Sequence, residues 1–398
     1  MSGIGFWICI ALILYVYLGY PLLLALLART GRKPVFPPAA EPTLTLLIAA
    51  YNEESCIAKK LDNALEMAYS REKLQILVAA DGSDDRTADI VRQYAAQGVE
   101  LCYQPERQGK MAAINRALAF TWGEVIVFSD ANNLYEADTL RALVAPFVSA
   151  QVGAVSGAKH ILKDAGPLSS SEGLYWKYEA FIKRQETRLG SCTGVSGEIF
   201  AIRKALFKPA PGGTINDDFY LAMQVLRSGH RVVFAPDARS FERVSLTAED
   251  EIIRRKRINA GRYQVLHRWR QFLPFKRPLL MWQILSHKIL RLFVPFFMLG
   301  TFIANLYALI WPPAGIPASL MRLTPPYNWI LFGLQFAFYG LAWLGNQDAM
   351  PGPLRKLAYL PAFLVNSNLA ALQGLVYYLG GKDRTLWQKV RRAEERGA

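Results

Sequence analysis

The pattern of apolar and polar positions divides the chain into a mixed middle region and two strongly apolar ends. Between Thr43 and about Asp250, short aliphatic runs alternate with amphipathic stretches that have a helical period. The predicted strands are Leu44–Ala50, Leu74–Ala80, Val99–Tyr103 and Val125–Ser129, and the predicted helices between them are Ser55–Met67, Asp85–Ala96 and Lys110–Thr121. Because strands that alternate with helices require crossover connections, we predict an α/β domain with a mostly parallel sheet.

The apolar ends predict membrane helices. Ile4–Leu27 contains no charged residue and is long enough for a hydrocarbon core, which needs about 20 residues. Arg29, Arg32 and Lys33 follow it, whereas a cleaved signal peptide carries its charge before a shorter apolar run. We therefore interpret this segment as a retained anchor whose C-terminal end faces the cytoplasm. Three further transmembrane helices are predicted near the other end: Leu292–Trp311, Tyr327–Gln347 and Leu357–Gly381.

The basic tail Lys382–Ala398 conflicts with this count, because four crossings would place it outside the cell. Positively charged tails normally stay in the cytoplasm. Either Leu357–Gly381 is re-entrant or interfacial, or the positive-inside rule does not hold for this chain. We favour a cytoplasmic tail. The predicted organisation is an anchor (1–33), an α/β domain (34–250), basic amphipathic interfacial helices (251–280), C-terminal transmembrane helices (281–381) and the basic tail (382–398).

Composition agrees with a polar domain joined to membrane helices. Of 398 residues, 52% are hydrophobic and 20% charged, and 46 Lys and Arg exceed 32 Asp and Glu. Such an excess is typical of proteins that bind nucleic acid, phosphorylated ligands or an anionic bilayer. Because the basic residues cluster beside apolar segments, we predict a membrane surface and no nucleic acid. The four cysteines show no zinc or redox spacing, which indicates a reducing cytosol for the polar domain.

Acidic side chains follow three of the predicted strands. The segments are Ala49-Ala50-Tyr51-Asn52-Glu53-Glu54, Asp81-Gly82-Ser83-Asp84-Asp85 and Asp130-Ala131-Asn132. Parallel strands end at one edge of a sheet, where acids are costly to bury unless a cation or hydrogen-bond donors meet them. The alternative is that Asp81 and Asp85 cap the helix that follows them. Three acidic segments without a Gly-rich phosphate loop favour a metal-assisted nucleotide site.

Five motifs carry a resemblance to a known family. They are Tyr51-Asn52-Glu53-Glu54, Asp81-Gly82-Ser83, Gly109-Lys110-Met111-Ala112-Ala113-Ile114-Asn115, Asp130-Ala131-Asn132 and Asn216-Asp217-Asp218-Phe219. Their order resembles that of family 2 glycosyltransferases, which are inverting enzymes with a Rossmann-like GT-A fold and nucleotide-sugar donors. The match runs from about Thr43 to Gly261. With the flanking apolar helices it resembles the membrane-embedded branch that includes cellulose, chitin, hyaluronan and poly-N-acetylglucosamine synthases.

The resemblance implies a donor site at the strand ends. Ala49 lies in the first donor segment, and Tyr51, Glu53 and Asp81 would hold the uridine of a UDP-sugar. Lys110 would lie near the donor, and Asp130 would contact a Mg²⁺ or Mn²⁺ that bridges the two phosphates. Independently of the family, a diphosphate leaving group needs its growing charge neutralised. The usual Asp-x-Asp reads Asp130-Ala131-Asn132 here, so Asn132 is either a neutral second metal ligand or not a ligand.

Inversion also needs a base that takes the proton of the acceptor hydroxyl, and a carboxylate is sufficient. The family places this base in a Thr-Glu-Asp motif at the start of a helix. Asn216-Asp217-Asp218 occupies that place before the predicted helix Phe219–Ser228. We predict Asp218 as the base with Asp217 as its helper. The alternative is simple helix capping by Asn216 and first-turn acids.

A basic stretch follows the predicted base. Ile252–Arg277 has nine Lys or Arg and no acid, and its interspersed aromatics are typical of an amphipathic interfacial helix. Within it, Arg254-Arg255-Lys256-Arg257-Ile258 aligns with the Gln-x-x-Arg-Trp motif of processive synthases. The resemblance implies that Arg257 contacts the donor diphosphate and that Arg254 replaces the Gln. Ile258 replaces the Trp that stacks on the acceptor, which weighs against processive polymerisation.

The remaining resemblance concerns the acceptor. Gly197 and Glu198 resemble the family's acceptor-side glycine turn, and Trp176 lies on a predicted helix before it, as either a sugar platform or a core residue. We predict an inverting glycosyltransferase at the cytoplasmic face of the inner membrane, acting from a UDP-sugar on a polysaccharide or lipid-linked acceptor. The alternatives are a single transfer to polyprenyl phosphate, ceramide or diacylglycerol, and a non-catalytic sugar-nucleotide-binding assembly subunit. Export or assembly partners stay open.

Overall fold

A computed structural model describes residues 2–31, 41–162, 167–242, 248–313, 315, 317–347 and 352–381. The chain divides into two units, and each is described by itself. The α/β unit consists mainly of Leu24–Arg254 and Gln264–Met281. The helical unit consists of Met1–Leu23, Arg255–Tyr263 and Trp282–Gly380.

The α/β unit is built on a mixed, mostly parallel sheet. Its strands are β1 Leu44–Ala50, β2 Leu74–Asp81, β3 Val99–Gln104, β4 Val125–Asp130, β5 Leu134–Tyr135, β6 Val152–Ile161, β7 Phe200–Arg203 and β8 Arg231–Glu242. Their order is β3-β2-β1-β4-β7-β6-β8-β5. β3, β2, β1 and β4 are parallel, β7 is antiparallel to both its neighbours, β8 is parallel to β6, and β5 is antiparallel to β8. The predicted α/β class with a mostly parallel sheet is confirmed.

The helices complete both units. They are α1 Ser2–Leu14, α2 Tyr20–Leu27, α3 Ile57–Leu65, α4 Thr87–Gln93, α5 Lys110–Ala117, α6 Thr139–Val144, α7 Pro167–Leu189, α8 Asp217–Arg227, α9 Ala248–His267, α10 Trp269–Phe272, α11 Pro278–Ile284, α12 Leu290–Ile310, α13 Tyr327–Leu344 and α14 Gly352–Leu379. A π-helical turn joins α1 to α2, and another joins α11 to α12. Within the α/β unit, α3, α4 and α5 are shorter than the sequence predicted, because their flanking residues form turns or 3₁₀ segments.

The apolar pattern explains the sheet and its covering helices. Every residue of β2 is buried, as expected for a central parallel strand that is covered on both faces. On α3, the side chains of Ile57, Leu61 and Ala64 recur at helical spacing and pack into the core. Ala49 pairs with both Ala79 and Asp130 in the sheet, so the ends of β1, β2 and β4 are in register. The acidic segments predicted to meet at one sheet edge therefore do meet.

Two helices are long and apolar enough to cross a membrane, among the residues that the structure describes. They are Ser2–Leu27 and Pro278–Ile310. Large apolar side chains on them face outward, including Ile4, Leu22 and Leu299, an arrangement that lipid contact would satisfy. α13 and α14 occupy the other two predicted spans as helices, but they do not pass the same test of length and hydropathy. The four-crossing topology and the domain boundaries stay predictions, and the tail Lys382–Ala398 lies outside the described residues.

Polar contacts inside the helical unit join its helices. Asn368 donates a hydrogen bond to the hydroxyl of Tyr17 at 2.9 Å, and Asn328 donates to the carbonyl of Ala308 at 3.0 Å. The part of α9 that belongs to this unit packs on α14, since the Arg255 guanidinium donates to Ser367 at 3.1 Å. Buried amides with satisfied hydrogen bonds are a usual means of joining helices in an apolar environment.

Candidate active site

The first part of the candidate site is the donor edge, which we define as residues 51–56, 81–87 and 130–132 after β1, β2 and β4. Asn52 has a left-handed backbone, with φ of 54°, which Asn tolerates better than most residues. Its side chain donates to an Asp84 carboxylate oxygen at 2.5 Å and accepts from the Asp84 backbone N–H at 3.0 Å. Reciprocal bonds of this kind fix the loop after β1 against the loop after β2.

Asp81 holds the segment that precedes α5. Its Oδ2 accepts hydrogen bonds from the backbone N–H groups of Gln108 at 3.0 Å and Gly109 at 2.6 Å. Its Oδ1 lies 3.7 Å from a guanidinium nitrogen of Arg116 and has no hydrogen-bond partner among the described residues. One oxygen of this buried carboxylate thus orders the protein, while the other remains able to accept a hydrogen bond from a ligand.

The capping alternative applies to Asp85 and not to Asp81. Asp85 Oδ1 accepts from the backbone N–H of Thr87 at 2.9 Å, at the first residue of α4. Its Oδ2 accepts from the backbone N–H of Glu54 at 3.1 Å. Asp85 is therefore a structural residue that begins a helix and joins two loops.

Tyr51 and Glu53, two of the predicted donor residues, contact a guanidinium and a thiol respectively. The Arg107 guanidinium lies 3.8 Å from the centre of the Tyr51 ring, in cation–π contact. The Cys56 thiol lies 3.1 Å from Glu53 Oε2. Gly82 allows the close approach of the Arg107 segment, because a Cβ at Gly82 would lie 2.7 Å from the Arg107 backbone and its φ is +66°. None of the four cysteines forms a disulfide among the residues that the structure describes.

Lys110 and Asp130 form an ion pair at the end of β4. Lys110 is the first residue of α5, and its Nζ lies 2.6 Å from Asp130 Oδ1. The two side chains are 19% and 24% exposed, so a charged ligand can reach the pair. A cation and an anion that remain partly hydrated can exchange partners when a diphosphate enters. The structure thus brings together two residues that the sequence placed at the donor.

The residues around Asp130 fit a divalent metal that arrives with its ligand. Among the described residues, no group of three or more His, Cys, Asp and Glu side chains could hold a metal ion by itself. Asn132 presents its Nδ2 to Glu242 Oε1 at 3.0 Å, so its remaining amide atom is an oxygen. Mg²⁺ in nucleotide sites is commonly bound through one or two protein oxygens together with substrate phosphates. One accessible carboxylate with a nearby amide oxygen matches that pattern.

The second part of the candidate site is the base side, which we define as residues 194–198, the start of α8, and the ends of β6 and β8. Asp218 is the second residue of α8, and its Oδ1 accepts from the backbone N–H of Phe219 at 2.7 Å. Burial and, to a smaller extent, the charge of Asp217 raise the pKa of Asp218 to about 6, against the opposing effects of the Phe219 N–H and Lys110. A carboxylate with such a pKa is a competent proton acceptor at neutral pH.

Gly197 lies against Asp218. A Cβ built at Gly197 would lie 3.2 Å from Asp218 Cβ and 3.4 Å from Asp218 Oδ2. The carbonyl of the next residue, Glu198, accepts hydrogen bonds from Asn133 Nδ2 at 2.8 Å and from the Tyr135 hydroxyl at 2.6 Å. The glycine turn is thereby fixed to the segment that follows Asp130, and the missing Cβ leaves room beside the carboxylate.

A buried ion cluster completes the base side. Lys159 at the end of β6 forms ion pairs with Glu242 and, at 3.4 Å, with Glu198 Oε1. Burial works against the charge of Lys159, but Glu198 and Glu242 outweigh it, so the pKa of Lys159 is raised above its ordinary value. The Trp176 ring lies 5.3 Å from Lys159 Nζ, and its Nε1 has no hydrogen-bond partner among the described residues. Trp176 and Glu198 therefore both lie close to Lys159.

All three residues of the predicted Gln-x-x-Arg-Trp equivalent lie on α9. Arg254 belongs to the α/β unit and is near enough to Lys159 to act against its positive charge. Arg257 and Ile258 belong to the helical unit, where they lie on the part of α9 that packs on α14. The roles given to these three residues stay predictions.

Sequence reasoning missed the residues that join the two parts of the site. Asn133 is fully buried; its Oδ1 accepts from Ser129 at 3.0 Å and from Lys60 Nζ at 3.2 Å, and its Nδ2 also donates to Ser240 at 2.8 Å. Lys60, Lys159 and Glu242 were also missed. Each is a charged residue within or beside a run of apolar residues. A charge in such a place indicates a buried, paired side chain, and this was the signal that the sequence offered.

Comparison with known proteins identifies a domain within the α/β unit. Residues 45–209 match the family described as Glycosyl transferase family 2. A probable glycosyltransferase, YdaM, of Bacillus subtilis is 27% identical over 259 residues, covering 59% of this chain and 59% of the relative. A beta-monoglucosyldiacylglycerol synthase of Synechocystis is 29% identical, covering 46% of this chain and 40% of the relative. A poly-beta-1,6-N-acetyl-D-glucosamine synthase of Staphylococcus aureus is 26% identical, covering 56% of each chain. The chain thus spans about half the length of these relatives.

One solved structure resembles most of the chain. A mannosyltransferase from Pyrobaculum calidifontis, solved with GDP-mannose and Mn²⁺, aligns with a TM-score of 0.67 and 24% identity. The alignment covers 92% of this chain and 99% of the mannosyltransferase. At this identity the likeness shows the fold alone, and it confirms the GT-A fold that the motif order implied.

Proposed function

The chain contains a glycosyl transferase family 2 domain, and from this premise we propose that it transfers a sugar from a nucleotide diphosphate sugar to an acceptor hydroxyl with inversion at the anomeric carbon. The observation that carries the proposal is the arrangement around Lys110. Its ammonium group bonds Asp130 on the donor edge and lowers the pKa of Asp218 on the base side. Lys110 therefore lies near both Asp130, which would serve the leaving diphosphate, and Asp218, which would accept the proton.

Asp218 is the proposed base. In the transfer, its carboxylate takes the proton of the acceptor hydroxyl while the acceptor oxygen forms a bond to the anomeric carbon. The bond from that carbon to the diphosphate oxygen breaks, and the electron pair leaves with the nucleoside diphosphate. Asp217 assists, because its charge helps to keep the pKa of Asp218 high enough for it to accept a proton.

Lys110 and Asp130 serve the leaving group. The Lys110 ammonium can turn from Asp130 towards the diphosphate as negative charge grows there. Asp130, with the Asn132 amide oxygen beside it, would hold a Mg²⁺ or Mn²⁺, which supplies further charge stabilisation to the phosphates. Arg257 and Arg254 are additional candidates for phosphate contact, on the ground of the motif resemblance alone.

The nucleoside end of the donor is assigned to the other strand ends. Tyr51 offers an aromatic face, Asp81 Oδ1 offers an unused buried acceptor, and Glu53 and Ala49 complete the wall. In this proposal Asp81 Oδ1 accepts the N–H of uracil, but guanine also has N–H donors, so the choice of UDP rests on the motif resemblance. Because the mannosyltransferase of similar fold was solved with GDP-mannose, GDP-sugars are the necessary comparison.

The acceptor is proposed to be membrane-linked. Two helices of the chain are suited to span a bilayer, which supports a catalytic domain held at the cytoplasmic face of the inner membrane by several crossings. Gly197, Glu198 and Trp176 would contact the acceptor, which is a glycan or a lipid. Export or assembly partners are not assigned.

A single transfer to a lipid is the second candidate function. Ile258 stands where processive synthases place a Trp, and one relative is a synthase of a glucosyl diacylglycerol. Ile258→Trp tests the difference, because a ring beside the acceptor should lengthen products or lower the acceptor KM. Long polymer from the unchanged enzyme would contradict the single-transfer candidate.

The experiment for the proposed function uses the purified full chain in detergent or nanodiscs. It is incubated with UDP-sugars and GDP-sugars in turn, with Mg²⁺ or Mn²⁺ and membrane lipids, followed by mass analysis of all glycosylated products. The proposal expects one nucleotide to support transfer. Donor binding without any product would instead support the non-catalytic assembly subunit, and no binding of either nucleotide would refute the proposal.

A further inference from the structure

Asn132 is held by a buried acid from a distant part of the chain. Its Nδ2 donates to Glu242 Oε1 at 3.0 Å, across 110 positions in the sequence. An amide nitrogen can only donate and a carboxylate can only accept, so this contact fixes which way the amide faces. The nitrogen points to Glu242, and the amide oxygen is directed elsewhere.

Glu242 is itself fixed from its other oxygen. Its Oε2 accepts a hydrogen bond from Lys159 Nζ, and the two residues come from the neighbouring parallel strands β8 and β6. The Lys159 and Glu242 side chains are 5% and 10% exposed. Both carboxylate oxygens of Glu242 therefore have an N–H donor, and the group has little room to rotate.

The cluster around Lys159 already contains two carboxylates, and Arg254 is near enough to act on Lys159. One ammonium group already faces the carboxylates of Glu198 and Glu242. A carboxylate at position 132 would have no N–H to donate and would face Glu242 Oε1 at hydrogen-bond distance. Burying like charges in this way is strongly unfavourable.

We propose that Glu242 is a positioning residue that orients Asn132 within the donor edge, so that Asn at this position is the matched partner of a buried Glu. On this account the departure from Asp-x-Asp is a consequence of Glu242, and restoring the acid alone harms the site. The positioning role rests on the proposed function, because it matters only if residues 130–132 handle the donor diphosphate.

Exchange of the two groups tests the proposal. Four full-length proteins are compared: the unchanged chain, Asn132→Asp, Glu242→Gln, and the double variant. The double variant reverses donor and acceptor across the same contact and conserves the net charge. Gln97→Glu is the control, since it adds one negative charge at an exposed position of the same unit. Melting midpoints are measured without metal or nucleotide, and kcat and donor KM are measured with a UDP-sugar and Mn²⁺.

The proposal expects each single variant to use the donor less well than the unchanged chain, and the double variant to recover most of that loss. Asn132→Asp should lower the melting midpoint by several degrees, raise the donor KM about tenfold and lower kcat, since a charged hydrogen bond is replaced by repulsion. Glu242→Gln should also raise the donor KM, because its amide can present a second N–H to Asn132. The double variant should regain most of both losses, and the control should behave as the unchanged chain. If Asn132→Asp does not fold, recovery of folding in the double variant supports the same conclusion.

Several results would overturn the proposal. Asn132→Asp with an unchanged melting midpoint and improved donor use would show that the chain merely lacks a ligand. A double variant no better than the single variants would show that the two residues are not coupled. If the double variant recovers the melting midpoint but kcat and KM are the same in all four proteins, Asn132 and Glu242 contribute to stability alone and Glu242 is not a positioning residue. If the unchanged chain neither binds nor uses any donor, the proposed function fails and the positioning role with it, although the melting midpoints would still reveal the pair.

Discussion

The donor edge and the base side of the α/β unit are built by different kinds of contact. On the donor edge, carboxylates accept hydrogen bonds from backbone N–H groups of neighbouring loops, as Asp81 does from Gln108 and Gly109. On the base side, buried charges pair with one another, as Lys159 does with Glu198 and Glu242. One half of the site is ordered by the main chain and the other half by side-chain charge.

This difference suits the two tasks of a sugar transfer. A donor carries its own charges and must enter and leave, so partly exposed groups such as Lys110 and Asp130 can exchange partners with it. A base must hold a raised pKa in a fixed position, which burial and neighbouring charge provide. Each prediction below changes one side and measures whether the other responds.

The largest effect is expected from removal of the base. Asp218→Asn keeps the volume but cannot accept the proton, so we predict a kcat lower by about 10²–10⁴-fold. Donor affinity, followed by calorimetry, should stay close to that of the unchanged chain, because the donor edge is intact. Asp217→Asn is the matched control, and its kcat should fall less than that of Asp218→Asn. Near-normal turnover of Asp218→Asn would assign the role to Asp217 or refute the mechanism.

Asp130→Ala removes the carboxylate that pairs with Lys110 on the donor edge. We predict that turnover requires added Mg²⁺ or Mn²⁺, and that this variant loses the response to metal and falls in activity on the order of 10²-fold. Unlike Asp218→Asn, it should bind the donor weakly in calorimetry. Full turnover of the unchanged chain in excess chelator would contradict this and would leave Lys110 as the main stabiliser of the diphosphate.

The pH dependence distinguishes the sides through Asp218. Its pKa is raised to about 6, so it is protonated and inactive as a base below that pH. We predict that kcat/KM rises with pH through about 6, and that one pH unit lower it is about tenfold below its plateau. Donor binding over the same range should change much less. A flat profile between about pH 5 and 7 would show that Asp218 does not take the proton.

A smaller change tests how closely the glycine turn approaches the base. Gly197→Ala places a Cβ 3.2–3.4 Å from Asp218, so the carboxylate must shift by a few tenths of an ångström. We expect kcat to fall several-fold with little change in donor affinity. Gly212→Ala is the matched control, because a Cβ there meets nothing within 4 Å. Equal kinetics for the two variants would contradict close packing of Gly197 on Asp218.

The donor edge was predictable because its evidence is local. Each motif directly follows an apolar strand, and parallel strands bring such ends together, so Asp81 and Asp130 could be placed without a structure. The four parallel strands were predicted to within about a residue for the same reason. The order of the family's motifs also pointed to Asp218, which lies in the first turn of α8.

The base side was less predictable because its partners are far apart in the chain. Lys159 and Glu242 are 83 positions apart, and only the pairing of β6 with β8 brings them together. β7 has only four residues, too few for a period to be recognised, and no strand was predicted at β6 or β8, so the second half of the sheet and its buried charges were not anticipated. The partner of Asn132 was missed for the same reason.

The most direct test of the central claim is the anomeric configuration of the product. A donor with a defined α-linked diphosphate is incubated with the unchanged chain, and the linkage formed is assigned by NMR. A single displacement with Asp218 as base predicts a β-linked product from the unchanged chain, and its formation about 10²–10⁴-fold slower by Asp218→Asn, although that variant still binds the donor. An α-linked product would contradict the account, because retention requires a different mechanism.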